Sequence, residues 1–365
     1  MSRARTFADL ANASEAGSLA SPNMIINGDM AIAQRGTSST GESTSGIKVV
    51  DQFHYVHGGG GTSDISQSST APSEFKNSLK VECNSADASL GASEFVGIRQ
   101  HIEAQNCQSL LYGTSSAKTT TLSFWVRSKQ TGTYAVNLYL DDDSRQFTKT
   151  YAISSADTWE KKTITFIGDT TGVIEDDIGK GLEITWWLRI GSTYTSGDAM
   201  SGWEAFANGD YAVGHAVDFL DNTANEFYLT GVQLEIGEVA TPFKYESHGD
   251  NLIRCQRYFY APVTKAGGDH YFSNGWQYDA SNLLGLIFHP VQMRTSPTLI
   301  SADGTNYFSF YRAGAADHFN DVVLNTGNDK ATSIINANDM SGTAGHAGGM
   351  LASVNAFVYL TAELE

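Results

Sequence analysis

The sequence predicts an all-β protein: a jelly-roll-like β-sandwich followed by a smaller C-terminal β-sandwich, with a short extended N-terminal segment in front. Three observations predict it. Short runs alternate apolar and polar side chains along most of the chain, the period of strands with one buried face. Gly numbers 36 and Pro only 6, as expected where many short strands are joined by Gly/Ser/Asn turns. No apolar period of 3.6 runs long enough to make a long helix.

Residues 1–21 are small, polar and patternless, and form the N-terminal attachment segment. Residues 6–13 suffice for one or two helical turns, too few to stand alone. The segment is either an unstructured tail or folds against a partner, with Phe7 and Leu10 as contact points. The first domain is assigned to residues 22–248. It opens with a strand at 24–26, an Asn27-Gly-Asp29 turn and a second strand at 30–33. Residues 49–56 alternate from Asp51 onward. The four glycines at 58–61 read as a hairpin tip; no Lys-Ser/Thr and no helix pattern follows, so they are not a phosphate loop.

Strands are expected at 79–83 and 95–103, then a short surface helix or turn with Asn106 as N-cap. Residues 119–127 are β-branched, aromatic and alternating, and 134–140 are expected to pair with them through the Gln130-Thr-Gly-Thr turn. Strands at 147–153, 160–166 and 182–190 keep the spacing of a sandwich. Residues 203–213 read as an aromatic loop. The stretch 225–243 closes the domain. Phe227, Leu229, Val232, Leu234 and Ile236 are apolar, with polar residues between them. The alternation slips at Thr230-Gly231, where a glycine can carry a bulge. Gly237 ends the strand and Pro242 turns the chain outward. The C-terminal domain, 249–365, is expected to hold strands at 257–260, 270–272, 283–288, 298–301, 307–311, 321–324 and 353–364, the last locked into a sheet.

Length and charge bound the function. The chain has 365 residues, enough for two or three domains with filled cores. Lys and Arg total 23 against 40 Asp and Glu, a net charge of −17. Such a chain, without a basic patch, is a poor partner for nucleic acid or an anionic membrane. Apolar runs stay far below the roughly 18 residues of a membrane span, and Met1-Ser-Arg-Ala-Arg-Thr-Phe7 lacks the apolar stretch of a secretory signal. Charged residues are only 17%, consistent with surface buried in an assembly. Cys83, Cys107 and Cys255 are odd in number, without CxxC spacing, and read as small buried hydrophobes.

No catalytic residue is assigned. The sequence has no HExxH, no Cys/His cluster and no Gly-x-Ser-x-Gly. No cofactor is expected. Asp141-Asp-Asp143 and Glu175-Asp-Asp177 have the donors for a structural Ca²⁺ but not the spacing of an EF-hand loop, and the competing reading is solvated acidic turns. The aromatic residues carry more. Sugars offer apolar faces that stack on flat rings while polar neighbours bond the hydroxyls. Tyr194, Trp203, Trp276 and Tyr278 are the candidate glycan-binding residues; loop packing and subunit contact compete for the same rings. Trp125, Trp186 and Trp187 lie within strand runs and read as core.

Several segments, in order, resemble tailed-bacteriophage tail fibre or fibre-like virion proteins. They are Asn23-Met-Ile-Ile-Asn-Gly-Asp-Met30, Leu122-Ser-Phe-Trp-Val-Arg127, Thr158-Trp-Glu-Lys-Lys-Thr-Ile164, Phe227-Tyr-Leu-Thr-Gly-Val-Gln-Leu-Glu-Ile-Gly237, Ala240-Thr-Pro-Phe243 and Cys255-Gln-Arg-Tyr-Phe-Tyr260. The resemblance spans residues 22–300; Met293-Arg-Thr-Ser-Pro-Thr298 and Leu360-Thr-Ala-Glu-Leu364 belong to it as well. It implies a jelly-roll domain similar to carbohydrate-binding modules, a smaller distal β-domain, homotrimeric assembly, and attachment to phage tail or capsid proteins through the N-terminal segment. It also implies a virion location and adhesion to host-surface glycan without catalysis. A decoration or adaptor protein, and a polysaccharide depolymerase, are the alternatives. The chain departs from long fibres in lacking a repetitive shaft or an enzymatic β-helix.

Overall fold

Alternation in the sequence becomes strands, and the strands divide between two units. The structure, a computed structural model, describes residues 23–265, 269–337 and 339–364. The first unit contains the described residues up to Ala31, Thr37–Glu246 and Leu364; the second contains Ile32–Gly36 and Ser247–Glu363. Phe7 and Leu10 lie outside the described residues.

In the first unit the chain lays down β1 (Ser38–Glu42), β2 (Gly46–Ile47), β3 (His54–Gly58), β4 (Thr62–Ser68), β5 (Ser78–Ser85) and β6 (Phe95–Glu103). After a 3₁₀ turn at Ala104–Leu110 come β7 (Thr120–Ser128), β8 (Gly132–Leu140), β9 (Arg145–Ile153), β10 (Glu160–Phe166), β11 (Lys180–Ile190), β12 (Glu204–Ala205) and β13 (Glu226–Ile236). They build two antiparallel sheets, ordered β1-β4-β5-β13-β7-β10 and β12-β9-β8-β11-β6-β3-β2. The sheets face each other as a jelly-roll-like sandwich. Phe124 of β7 meets Tyr151 of β9 and Trp186 of β11 edge-on at 5.1 and 5.8 Å, and Phe147 meets Phe166 at 5.3 Å. Each such pair adds about 0.5–1.5 kcal/mol beyond the area it buries.

The slip in β13 is a bulge. Register with β7 shifts between Thr230 and Gln233, and Gly231 takes φ +60°, a left-handed value that favours glycine. Phe227 and Leu229 before the bulge, and Val232 and Leu234 after it, are all buried. A strict period of two would instead have turned Gln233 and Glu235 inward.

Other expectations are corrected. β8 does not pair with β7: β7 lies between β13 and β10, and β8 between β9 and β11 in the facing sheet. Their apolar rows, Leu122, Phe124 and Val126 against Tyr134, Val136 and Leu138, all fully buried, oppose each other across the core instead of side by side. The four glycines are likewise no hairpin tip, because β3 and β4 belong to different sheets. They carry the chain between layers, with Gly59 and Gly61 at φ +133° and +75°. Residues 24–29 form bends and a turn and 30–33 are irregular, so neither expected strand is present. Asn27 and Met30 are left-handed, and the Asn23 side chain takes the place of a ladder: its Nδ2 donates to Val232 O at 3.1 Å and its Oδ1 accepts from Leu234 N at 3.1 Å. The strand expected from Asp51 begins at His54, after a turn in which Gln52 has φ +74°. Asn106 lies inside its 3₁₀ turn, whose N-cap is Glu103, and Cys107 and Leu110 are buried there. Trp125 alternates away from the core and is half-buried, whereas Trp186 and Trp187 are fully buried. All three cysteines are buried, as expected, and burial pushes the Cys107 thiol up to about 12.

The second unit starts with α1 (His248–Gln256), a helix absent from the sequence reading. Ser247 caps it, its Oγ accepting from Asp250 N at 3.1 Å. Then come β14 (Phe259–Val263), β15 (His270–Gln277), β16 (Asn282–Phe288), β17 (Thr298–Ser301), β18 (Phe308–Arg312), β19 (Ala315–Phe319), β20 (Val323–Gly327), β21 (Ala331–Ala337), β22 (Ala347–Ala352) and β23 (Val358–Thr361). The small sheet β14-β23-β17 and the larger sheet β19-β18-β22-β15-β16-β21-β20 enclose a core that includes Leu283, Phe308, Phe310, Ile334, Met350, Val358 and Leu360. The strand expected at 353–364 is shorter: turns occupy 354–355, and β23 covers only Val358–Thr361, after a separate strand β22 that ends at Ala352. β22 escaped notice because Ala347-Gly-Gly349 has little strand propensity. The glycine is required there: a Cβ on Gly348 would lie 2.1 Å from the Tyr311 carbonyl oxygen.

The bulge makes a quantitative prediction. A Cβ on Gly231 would stand 2.5 Å from the Phe75 ring as well as forcing alanine into φ +60°. Gly231→Ala is expected to lower stability by about 1–3 kcal/mol in denaturant melts. Phe75→Ala should relieve part of that cost, so the double variant should lose less than the sum of the two singles.

Candidate functional site: an aromatic groove on the second unit

The larger sheet of the second unit keeps one face on the core and turns the other to solvent. Along β15, Gly275 and Gln277 are buried while Asn274 and Trp276 are exposed. Register with β22 slips between Tyr271 and Ser273. That bulge re-aims a side chain, as bulges do: Phe272 packs against the core while Tyr271 emerges on the open face beside Asn274 and Trp276. The partners of Tyr271, Asn274 and Trp276 on β22 are Leu351, Gly349 and Ala347. On the other side, β16 sets Leu286 opposite Asn274 and Leu284 opposite Trp276.

The result is a groove of about 590 Å³, lined by Tyr271, Phe272, Ser273, Asn274, Gly275, Trp276, Leu286, Phe288 and Ala347. That volume lies within the roughly 300–1,000 Å³ of small-ligand sites. Tyr271 is 64% exposed, Trp276 41% and Phe288 72%. Isolated exposed rings are ordinary, but several lining one concavity mark an interaction site. The Ser273 hydroxyl is spent on Leu286 O at 3.0 Å. Tyr271 leans toward Tyr311 of β18, ring centres 6.2 Å apart.

Of the four rings singled out in the sequence, Trp276 lies in this groove. Tyr278 is 63% exposed but sits past its end, in the turn between β15 and β16. That turn is fixed by Asp279, which accepts from Ser281 N and from the Asn282 backbone and side chain. The bond from Ser281 N, with those from Asn282, holds the Asp279 carboxyl below its usual range. Trp203 is placed otherwise. It is 9% exposed, its Nε1 donates to Ile167 O at 2.7 Å, and its ring packs on Tyr112 and Phe147. Tyr194 is half-buried against Phe95 and Tyr211. Both rings serve packing in the first unit. Tyr271 and Phe288 were missed: Tyr271 reads as part of a short strand, and only the bulge turns its ring outward.

The first unit has a polar sheet face as well, but its own chain occupies it. Asn137, Thr185 and Arg99 stand in register across β8, β11 and β6, with Tyr139, Glu183 and His101 in the next row. Segment 204–217 lies over them. Gln146 Nε2 donates to Ala207 O, Thr148 Oγ1 to Asp210 O and Trp187 Nε1 to Tyr211 O. Burial works against a charged Glu183, yet bonds from His101 and Tyr211 and the Arg99 guanidinium outweigh it and hold the carboxyl at about 2. His215, half-buried within the same segment, is pushed down to about 4 by burial of its ring. Its Nδ1 accepts from Ala135 N at 3.2 Å, so Nε2 carries the proton toward Val217 O at 3.0 Å.

The two acidic turns do converge. Glu175 N donates to Asp142 Oδ2 at 3.0 Å and Val173 N to Asp143 Oδ2 at 3.4 Å. Burial raises the Asp142 carboxyl, as do Asp177, Asp141 and Asp143 around it. Among the described residues no three His, Cys, Asp or Glu side chains are arranged to hold a metal ion, and no helix is long and apolar enough to cross a membrane.

No family model matches the chain, and no curated protein matches it. Solved structures similar to it include the enzymatically active domain of tailspike protein 4 from bacteriophage CBA120, at 10% identity and a TM-score of 0.31, covering 59% of this chain and 21% of that one. The chain thus spans about a fifth of that domain's length. A family 11 carbohydrate-binding module from Clostridium thermocellum, in complex with a β-1,3-1,4-mixed-linked tetrasaccharide, is similar at 10% identity and a TM-score of 0.29, over 56% of this chain and 98% of the module. TmCBM61 in complex with β-1,4-galactotriose is similar at 10% identity and 0.28, over 58% and 97%. The sandwich assignment itself rests on the sheets described above.

The buried groups predict acid sensitivity with a definite sign. Glu183 and His215 both have folded values below their unfolded ones, so the stability each contributes is whole above the unfolded value and lost as pH falls. The windows run from about 6.5 to 4 for His215 and from about 4.3 to 2 for Glu183. Melting temperature should fall from pH 7 to pH 4, and His215→Asn should flatten that slope. An unchanged slope in the variant would assign the acid sensitivity elsewhere.

Proposed function

We propose that this protein is a non-catalytic glycan-binding protein of a tailed-phage virion, a homotrimeric fibre or receptor-binding protein whose sugar site is the groove of the second unit. The observation that carries the sugar site is the set of three exposed rings, Tyr271, Trp276 and Phe288, around the exposed Asn274. Rings supply stacking surface for the CH faces of a sugar, and an amide supplies both a donor and an acceptor for hydroxyls. The phage assignment is supported by the ordered segments from Asn23 to Tyr260, and the homotrimer is inferred from the same resemblance. Three linked sites would turn weak single contacts into firm adhesion through effective concentration. The N-terminal segment, with Phe7 and Leu10, is the proposed anchor to tail or capsid proteins.

A second reading makes the same face a subunit contact in a decoration or adaptor protein. It is favoured by the aliphatic side chains of Leu286, in the groove, and Leu284 and Ile335 on the same open face, all half-buried. A depolymerase is the third, and reducing-sugar release from host polysaccharide tests it.

Glycan-array binding and host adsorption separate these readings. Trp276→Ala should abolish array binding and leave the melting temperature within a few degrees, because its ring is exposed. Trp203→Ala should instead destabilise the first unit by about 3–5 kcal/mol. Unaltered array binding and adsorption in a folded Trp276→Ala protein would remove the groove from the account.

A further inference from the structure

The groove's geometry narrows its ligand, given the glycan-binding reading above. We infer that it takes a neutral oligosaccharide lying along β15, stacked on Trp276 at one end and Tyr271 at the other, with Asn274 bonding a hydroxyl at the Tyr271 end.

Spacing sets the length. The β22 partner of Trp276 is Ala347, and the Tyr271 ring lies over Gly349, two residues along, or about 7 Å at the rise of a strand. One pyranose ring stacks on one of these platforms; linked rings reach both. Asn274, opposite Gly349, stands beside the Tyr271 end.

Charge sets the class. None of the lining side chains is ionisable in the neutral range, so no Arg or Lys is present to pair a uronate, sulfate or sialate carboxylate. The net charge of −17 works against acidic glycans at long range as well. Neutral hydroxyls, by contrast, meet an amide, while their CH faces meet rings.

Gly349 sets the position of the far ring. A Cβ there would lie 2.7 Å from the Tyr271 ring, so the absence of a side chain is what lets Tyr271 lie over β22. Gly349 is therefore a positioning residue for the second stacking platform, and Trp276 does not depend on it.

The test is calorimetric titration of the full chain with glucose and galactose oligomers of one, two and four units, and with oligogalacturonates of the same lengths. Affinity should rise about tenfold from the neutral monomer to the tetramer, as a second stacking contact is made. Oligogalacturonates should bind at least about tenfold more weakly than the galactose series. Tyr271→Ala and Gly349→Ala should both bring the tetramer down to the affinity of the monomer, with monomer binding unchanged. Equal binding of acidic oligomers, or no dependence on length, would overturn this inference while leaving glycan binding intact. No binding of any sugar by protein with native near-ultraviolet dichroism would overturn both.

Discussion

A single left-handed glycine in the middle of β13 determines how much of the first unit can exist. β13 is an inner strand between β5 and β7, so its two halves must both present apolar residues to the core. A strand of strict period two cannot do that with this sequence. The extra residue at Gly231 resets the phase, and Val232 and Leu234 return inward. What the bulge leaves unpaired is then used. Val232 N donates to Gly28 O, and Asn23 bonds both Val232 and Leu234. Outward-facing Gln233 and Glu235 hold the chain that follows, accepting from Lys244 N and Thr241 N. The proline exit of the strand is thus folded back and tied down, not simply turned away.

The same device recurs on β15 with a different result. There the register slip divides adjacent aromatic residues between core and solvent, Phe272 inward and Tyr271 outward. In the first unit a bulge keeps apolar side chains buried; in the second it delivers a ring to an open face. The contrast explains why the two sheet faces differ in use. The polar face of β8, β11 and β6 is filled by segment 204–217, with Glu183 charged and satisfied beneath it. Among the described residues of the second unit, the face of β15, β16 and β22 carries no such cover, and Tyr271, Trp276 and Phe288 are exposed there.

Strand existence was legible in the sequence wherever alternation was strong, as in β7, β11, β13 and β17. The β13 bulge was legible too, because a glycine coincided with the phase slip. Pairing was not. Adjacent strands such as β7 and β8 carry the same pattern whether they lie side by side or face each other across a core, since period two fixes which face is buried and not which neighbour is bonded. β19 and β22 were missed for want of β-branched runs and, in β22, because glycines were read as loop when close backbone approach required them; β21 was passed over although Thr332, Ile334 and Ile335 are β-branched. Of the site, Trp276 was singled out as a ring in a Gly/Ser-rich loop, whereas it lies on β15. Trp203 looked equivalent by that criterion, yet its indole N–H found the Ile167 carbonyl and its ring found Tyr112 and Phe147, contacts made at long sequence separation. Phe288 ends β16 in the outward phase of its alternation, shared with Leu284 and Leu286, so its place on the open face follows from the pattern, but its grouping with Trp276 and Tyr271 does not.

The central claim is that sugar is bound on the open face of the second unit and not on the sandwich that precedes it. Determining the crystal structure of the full chain with a neutral hexose tetramer addresses this most directly. The account predicts sugar rings over Trp276 and Tyr271 with a hydroxyl at Asn274. Sugar seated on the face of β8, β11 and β6 with segment 204–217 displaced, or a second copy of the chain covering the groove, would contradict it.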